Sequence, residues 1–167
     1  MKDYKETIII TGAAGFIGFS LVKKLITSGY FVIGIDNLNE YYDINLKKIR
    51  LEKLNLLSKS SKNWKFVHSS IEDLESLEII FEEYQPKVVV NLAAQAGVRY
   101  SIKNPHLYIK SNLVGFTNLI DLSAKFKVKN FIFASSSSVY GGNKIAPYSE
   151  KHSVDHPISL YAASKKS

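Results

Sequence analysis

The sequence predicts an α/β protein in which a doubly wound parallel sheet lies between two layers of helices, a three-layer α/β/α arrangement. Short apolar runs of strand length alternate with longer segments of helical periodicity along the chain. Several of these runs are continuously apolar, which is typical of parallel strands that are buried on both faces. A glycine-rich turn also joins the first strand to the first helix.

Length and composition limit the class of protein. The chain has 167 residues, enough for one domain with a core, and its 46% hydrophobic and 22% charged residues are typical of globular proteins. Cysteine is absent, so we expect neither disulfides nor a thiolate metal site, and no metal is predicted. Residues 1–6 lack the apolar segment of a signal peptide, and no apolar run reaches the roughly 18 residues that span a bilayer. We therefore expect a cytoplasmic protein without a membrane partner.

The net charge of +7 arises from 22 Lys and Arg residues against 15 Asp and Glu residues. Arg50 and Arg99 are the two arginines, and the lysines, including Lys47 and Lys48, are scattered along the chain. A nucleic-acid surface usually clusters its basic residues, so the pattern favours a solvated, lysine-rich surface and predicts no nucleic-acid partner. A positive potential also suits an anionic substrate that carries phosphate.

The first strand and helix surround the glycine-rich turn. Apolar residues 8–10 predict a buried strand, and a helical pattern opens near Gly15. Glycine recurs at positions 12, 15 and 18, where it permits a sharp turn, close approach of a ligand and packing of the helix on the strand. The helix N-terminus could then bind a pyrophosphate. This spacing predicts a dinucleotide site of the Rossmann type, with a plain strand-to-helix turn as the alternative.

The second strand, residues 30–35, ends at Asp36, which lies 24 residues after Gly12. A carboxylate at this place typically accepts hydrogen bonds from an adenosine ribose and repels a 2′-phosphate, which favours NAD over NADP. A helix cap or a turn is the alternative role for Asp36.

The remaining elements follow in order. The patterns predict a helix at 44–57, a strand at 64–68, a helix at 74–84, a strand at 87–92, a long helix at 104–122 and a strand at 130–134. Small residues after the fourth strand leave room for a ligand at the carboxyl edge of the sheet. Asn112, in the middle of the long helix, is predicted either to order the active site or to be a core amide.

Hydroxyl side chains could supply chemistry at the same edge. Ser135 to Ser138 follow the fifth strand, and Tyr161 and Lys165, four residues apart, share one face of a helix. An ammonium group stabilises a nearby phenolate and so makes a phenol a better base at neutral pH. A proton-abstracting tyrosine, an electrostatic lysine and a positioning serine would together serve hydride transfer.

These motifs resemble the extended short-chain dehydrogenase/reductase family, which is marked by T-G-x-x-G-x-x-G and Y-x-x-x-K. Within it, the chain is similar to the NAD-dependent nucleotide-sugar epimerases and dehydratases, above all to those that epimerise UDP-glucuronate for capsular polysaccharides. Residues 36–43, 91–101, 134–141 and 157–166 carry the resemblance. It implies NAD as cofactor, a UDP-sugar as substrate and a homodimer in the full-length form.

The resemblance also implies roles for individual residues. The catalytic residues would be Ser136, Tyr161 and Lys165. The cofactor-binding residues would be Gly12, Ala14, Gly15, Phe16, Ile17, Gly18, Asp36, Asn37, Ser70, Ile71, Leu92, Ala93, Ala94, Gln95, Asn112, Tyr161 and Lys165. The substrate would contact Ser137, Ser138 and Arg99.

The implied reaction is a transient oxidation at C4 of the sugar, rotation of the 4-keto sugar and return of hydride to its other face. Family dehydratases carry Asp-Glu at the positions of Ser137 and Ser138, and UDP-glucuronate decarboxylases carry Glu at the position of Ser138. Hydroxyls at both positions favour epimerisation. A decarboxylase or dehydratase relative and a non-catalytic NAD-binding module remain the alternatives.

Family members continue beyond the lysine of Y-x-x-x-K into a substrate domain. We therefore expect residues 1–167 to be an NAD-binding domain, the N-terminal portion of a longer enzyme without its C-terminal substrate domain. The activity of this portion alone stays open.

Overall fold

A five-stranded parallel sheet forms the centre of the protein. The computed structural model describes residues 4–167; residues 1–3, part of the segment expected to lack a signal peptide, lie outside the described residues. The strands are β1 (Thr7–Thr11), β2 (Phe31–Asp36), β3 (Trp64–His68), β4 (Val88–Asn91) and β5 (Asn130–Phe133). Their order is β3-β2-β1-β4-β5, and each adjacent pair is parallel. This order reverses between β1 and β4, the place where doubly wound sheets bind ligands.

Helices connect the strands. They are α1 (Phe16–Thr27), α2 (Ile44–Leu57), α3 (Leu74–Tyr84), α4 (Val98–Lys103), α5 (Pro105–Tyr108), a π-helical segment (Ile109–Gly115), α6 (Phe116–Lys125) and α7 (Leu160–Lys166). A 3₁₀ turn also covers Ser137–Tyr140. Among residues 4–167, no helix combines the length and the apolar composition needed to cross a membrane.

Two apolar clusters pack on opposite faces of the sheet. On one face, Ile8, Ile10 and Val32 pack with Val22 of α1 and Leu54 of α2. On the other face, a second cluster joins strand and helix side chains, which are Ile9, Ile33, Ile35, Val89, Leu77, Ile80, Phe81, Leu119 and Leu122. Successive strand residues therefore face opposite helical layers, and both layers bury apolar area, which stabilises the fold. The predicted three-layer α/β/α fold is confirmed.

The structure departs from the sequence expectations in three places. The small residues after β4 lead into the unpredicted short helix α4. The long predicted helix contains a π-helical segment around Asn112, a local feature that is frequent at functional sites. Lys47, expected on the solvated surface, is only 4% exposed, so that expectation is wrong for this lysine, whereas Lys48 is exposed.

Candidate functional site

The glycine turn after β1 leaves no room for a side chain at position 12 or position 18. Gly12 has a φ of +68°, and a Cβ there would lie 2.8 Å from the backbone nitrogen of Ala93. A Cβ on Gly18 would lie 2.1 Å from the carbonyl oxygen of Gly12. Gly15 is the N-cap of helix α1, where no side chain caps the helix, and the first turn of the helix contains no acidic residue. Its leading N–H groups and its positive dipole end are therefore suited to an anion.

A cavity of about 250 Å³, open to solvent, lies at the carboxyl edge of the sheet. It brings together the predicted cofactor-binding residues Gly12, Gly15, Phe16, Asp36, Asn37, Ser70, Ile71, Leu92, Ala93, Ala94 and Gln95. These residues come from the ends of β1, β2 and β4 and from the connection after β3, because parallel strands all end at this edge. This volume is slightly below the range of about 300–1,000 Å³ that is typical of small-ligand sites.

Asp36 is held firmly at the end of β2, where it is 7% exposed. Its Oδ2 accepts a hydrogen bond from the backbone N–H of Ala14 at 3.1 Å, and its Oδ1 accepts one from Leu38 at 2.9 Å. Asp36 thus forms the turn that sequence analysis kept as an alternative, and it lines the cavity at the same time. Its carboxylate is preorganised, with acceptor capacity left on Oδ2.

Gln95 is a second feature of the cavity that fits a polar ligand. It is 5% exposed and lines the cavity, yet its side-chain Nε2 is buried without a hydrogen-bond partner among the described residues. It interacts with the Tyr108 hydroxyl, but without the geometry of a hydrogen bond to Nε2. A buried donor without a partner destabilises a protein, so a ligand that accepted a hydrogen bond from this amide would remove that penalty. The Gly12–Gly18 turn and the Gln95 donor both fit a dinucleotide.

Asn112 connects the loop after β4 with helix α7. Its Oδ1 accepts from the N–H of Gln95 at 2.8 Å, and its Nδ2 donates to the Gln95 carbonyl at 3.0 Å and to Ser164 Oγ at 2.9 Å. Ser164 in turn donates to the Tyr161 carbonyl at 2.9 Å. Asn112 is thus a satisfied core amide, which was one of its two predicted roles, and its role in ordering an active site stays a prediction.

Helix α7 brings Tyr161 and Lys165 to the same edge of the sheet. The Tyr161 ring packs edge-on against Tyr108, with ring centroids 6.0 Å apart. The Lys165 ammonium donates to the carbonyl of Ala134, the residue after β5, at 3.0 Å. Partial burial lowers the pKa of Lys165. Lys165 lines a second, smaller cavity together with Asn112, Ala93 and Ala94.

The serine cluster lies beside α7. Ser136 precedes the 3₁₀ turn, and its hydroxyl accepts a hydrogen bond from the N–H of Ser138 at 3.2 Å. The 3₁₀ turn packs against α7, the helix of Tyr161. Ser137 is exposed and Ser138 is half-buried. The serine turn and Tyr161 could act on one substrate only if they lay close together, and the contact of the turn with α7 meets that requirement.

Among the described residues, several predicted site residues line neither of these two cavities. They are Ala14, Ile17, Gly18, Arg99, Ser136, Ser137, Ser138 and Tyr161. Ala14 is fully buried and Gly18 packs on the turn, so both contribute to the packing of the turn and not to the surface of a cavity. Arg99 is exposed on α4, and its contact with substrate stays a prediction. In the described part of the chain, no group of three or more His, Cys, Asp and Glu residues could hold a metal ion.

Sequence reasoning missed some residues that line the larger cavity. Asn39, Tyr41, Tyr42 and Lys47 lie in or after the connection that follows Asp36. Arg50, also on α2, lies outside this cavity lining, and its Nη1 donates to the carbonyl of Ala14 at 3.0 Å and to the Tyr42 hydroxyl at 2.9 Å. Their position after the end of β2 was the available signal, since connections at the carboxyl edge line the ligand site.

Comparison with known proteins agrees with this geometry. The family model described as GDP-mannose 4,6 dehydratase matches residues 9–167. The chain belongs to the GDP-mannose 4,6 dehydratase family. The family expected from the motifs, the nucleotide-sugar epimerases and dehydratases, is confirmed.

Relatives of this chain are longer than it is. It is 52% identical to Protein CapI of Staphylococcus aureus over 96% of this chain and 46% of CapI. It is 44% identical to a probable UDP-glucuronate 4-epimerase of Rhizobium meliloti over 95% of this chain and 46% of that protein. The chain therefore spans about half the length of these relatives.

Solved structures share the fold. The UDP-glucose 4-epimerase of Thermotoga maritima, solved with UDP-glucose, has a TM-score of 0.80 and 39% identity over 96% of this chain and 48% of that one. The UDP-glucose 4-epimerase of Bifidobacterium longum, solved with NAD+ and UDP, has a TM-score of 0.84 and 29% identity over 96% of this chain and 46% of that one.

Proposed function

We propose that residues 1–167 form the NAD-binding part of a 4-epimerase that converts UDP-glucuronate to UDP-galacturonate. The observation that carries this proposal is the convergence of the glycine turn, Asp36 and the unpaired Gln95 amide on one cavity at the carboxyl edge of the sheet. Relatives named as UDP-glucuronate 4-epimerases and neighbours solved with NAD support it.

The cavity residues would hold NAD in a fixed orientation. The N-terminus of α1 and the turn at Gly12 and Gly15 would bind the pyrophosphate. Asp36 would accept a hydrogen bond from the adenosine ribose through Oδ2, and Asn37 and Ser70 line the same cavity. The Gln95 amide would donate to a polar group further along the coenzyme. Bound NAD supplies reversible hydride transfer at C4 of the sugar.

The chain's own residues would move the proton and position the substrate. Tyr161 would accept the proton of the sugar 4-hydroxyl, and Ser136 would orient that hydroxyl. Lys165 would favour the phenolate form of Tyr161 electrostatically. Asn112 and Ser164 would hold α7, and with it Tyr161, against the loop that carries Gln95.

The choice of UDP-glucuronate rests on the serine turn. Ser137 and Ser138 offer hydroxyls, where an acidic side chain would favour loss of water or carbon dioxide. We propose that these hydroxyls, together with Arg99, bind the sugar carboxylate. We also propose a cytoplasmic location, a homodimer in the full-length form and no nucleic-acid or membrane partner.

Two measurements test the proposed function. Calorimetric titration of residues 1–167 with NAD should show binding at a single site, and Gly15→Val should weaken it, because the new side chain would crowd the Gly12 carbonyl and enter the cavity that Gly15 lines. The protein expressed from the complete gene should then convert UDP-glucuronate to UDP-galacturonate. Binding without any conversion would favour a non-catalytic NAD-binding module, and absence of binding would refute the proposal.

A matched pair of substrates tests the role of the serine turn. The Ser137→Ala/Ser138→Ala variant should lose activity on UDP-glucuronate while keeping its activity on neutral UDP-sugars. Equal loss on both substrate types would contradict carboxylate binding by these hydroxyls.

A further inference from the structure

A lysine lies buried beside the carboxylate that the ribose would reach. The Lys47 side chain, on α2, is 5% exposed, and its ammonium lies 3.5 Å from Asp36 Oδ1. It donates to Asn39 Oδ1 at 3.1 Å and lies 5.1 Å from the centre of the Tyr42 ring. Asp36, Asn39, Tyr42 and Lys47 all line the same cavity. This end of the cavity therefore contains a fixed positive charge as well as a negative one.

The two oxygens of Asp36 are not equivalent. Oδ1 accepts from the backbone N–H of Leu38 and from Lys47, whereas Oδ2 accepts only from Ala14 among the described residues. A group that hydrogen-bonds to Oδ2 would share this carboxylate with the Lys47 ammonium, which lies 3.5 Å from Oδ1. Charges that are partly shielded from water interact more strongly than charges in bulk water.

We propose that Lys47 weakens the preference for NAD over a coenzyme that carries a 2′-phosphate. This inference rests on the proposed NAD site. Asp36 alone would repel a 2′-phosphate, but the buried ammonium offsets that charge and attracts the phosphate. The Asp36–Lys47 pair therefore gives a weaker preference for NAD over NADP than the acidic residue alone would give.

Calorimetry of NAD and NADP binding to residues 1–167 tests the inference. Lys47→Met keeps much of the side-chain length and removes the charge, so the ratio of the NADP to the NAD dissociation constant should rise by about 10-fold or more. Lys47→Arg should change the ratio less than Lys47→Met does, because it keeps the charge although its head group has a different shape. The matched control is Lys48→Met, which removes the same charge from the exposed neighbouring position and should change the ratio by less than about 2-fold.

A second pair of variants avoids leaving Asp36 buried without a partner. Asp36→Asn should lower the ratio, and adding Lys47→Met to that variant should raise it again, by a factor that differs from the one in the wild type because the two residues are in contact. If Lys47→Met left the ratio of dissociation constants unchanged both in the wild type and in the Asp36→Asn variant, the inference would be overturned while the NAD site stood. Failure of the wild type to bind either coenzyme would instead refute the proposed function, and the inference with it.

Discussion

The Asn112 side-chain amide donates to the Ser164 hydroxyl at 2.9 Å, which joins the π-helical segment to the helix of Tyr161 and Lys165. The same side chain forms a paired contact with the backbone of Gln95, so one residue fixes two parts of the candidate site. Asn112, Ser164 and Gln95 are all buried, and hydrogen bonds between buried groups fix the positions of the groups they join.

Replacing Asn112 by alanine should destabilise the protein by about 2 to 4 kcal/mol, because the buried N–H and C=O of Gln95 would lose their partners. Ser164→Ala removes one of the Asn112 hydrogen bonds and should cost about 1 kcal/mol. Denaturant unfolding measures both changes. Additive effects in the double variant would contradict the shared hydrogen bond, since coupled residues should not be additive.

A side chain at position 18 should disrupt the glycine turn. In Gly18→Ala the new Cβ would lie 2.1 Å from the Gly12 carbonyl oxygen, so the backbone must move, and the expected loss of stability is about 3 kcal/mol or more. Gly142→Ala is the matched control, because a Cβ there meets nothing within 4 Å, and it should change stability by less than about 0.5 kcal/mol. Thermal unfolding of both variants would show the contrast, and equal melting temperatures would contradict it.

Tyr108 should keep its proton to unusually high pH. Burial raises its pKa to about 12, and the neighbouring Tyr41 hydroxyl adds to the effect. NMR of protein labelled with ¹³C at tyrosine Cζ should show a Tyr108 signal that titrates near this pH, with the assignment made by Tyr108→Phe. A midpoint near the ordinary value of about 10 would contradict the prediction.

The same shift predicts how Tyr108 affects alkaline stability. The folded state retains the phenolic proton longer than the unfolded state, so the contribution of Tyr108 to stability falls as the pH rises from about 10 to about 12. Tyr108→Phe should lessen that decline in unfolding experiments over this range.

Lys165 should make the stability depend on pH in the direction opposite to that of Tyr108. Burial lowers its pKa in the folded state below the ordinary value of 10.5, so the unfolded state binds the proton more tightly. The contribution of Lys165 to stability should therefore increase with pH between the lowered folded pKa and about 10.5. Lys165→Met should remove this increase in denaturant unfolding, and Lys166→Met, at an exposed neighbouring position, should retain it.

Local sequence patterns were sufficient for most of the fold. All five strands and the helices α1, α2 and α3 were predicted within one or two residues, because apolar runs and helical periodicity reflect burial along one element. Glycine spacing and the end of β2 likewise predicted a ligand site at Gly12, Gly15 and Asp36, which line the larger cavity. Helix α4 and the π-helical segment were not predicted, since short or irregular helices have no distinct period.

The apolar pattern of α2 was less informative. Leu46, Ile49 and Leu56 are exposed at 47%, 47% and 71%, whereas Lys47 is buried. A charged residue is buried only where a partner meets it, and the partner here is Asp36, on another element. Periodicity within α2 cannot reveal that partner.

The sequence by itself determined the parallel α/β sheet, the glycine turn and the edge at which a dinucleotide would bind, because each depends on neighbours along the chain. Tertiary structure alone decided that Lys47 lies against Asp36, that Asn112 reaches Ser164 and that Tyr108 packs on Tyr161. These pairs belong to different elements, so their contacts arise only when the sheet brings the ends of those elements together.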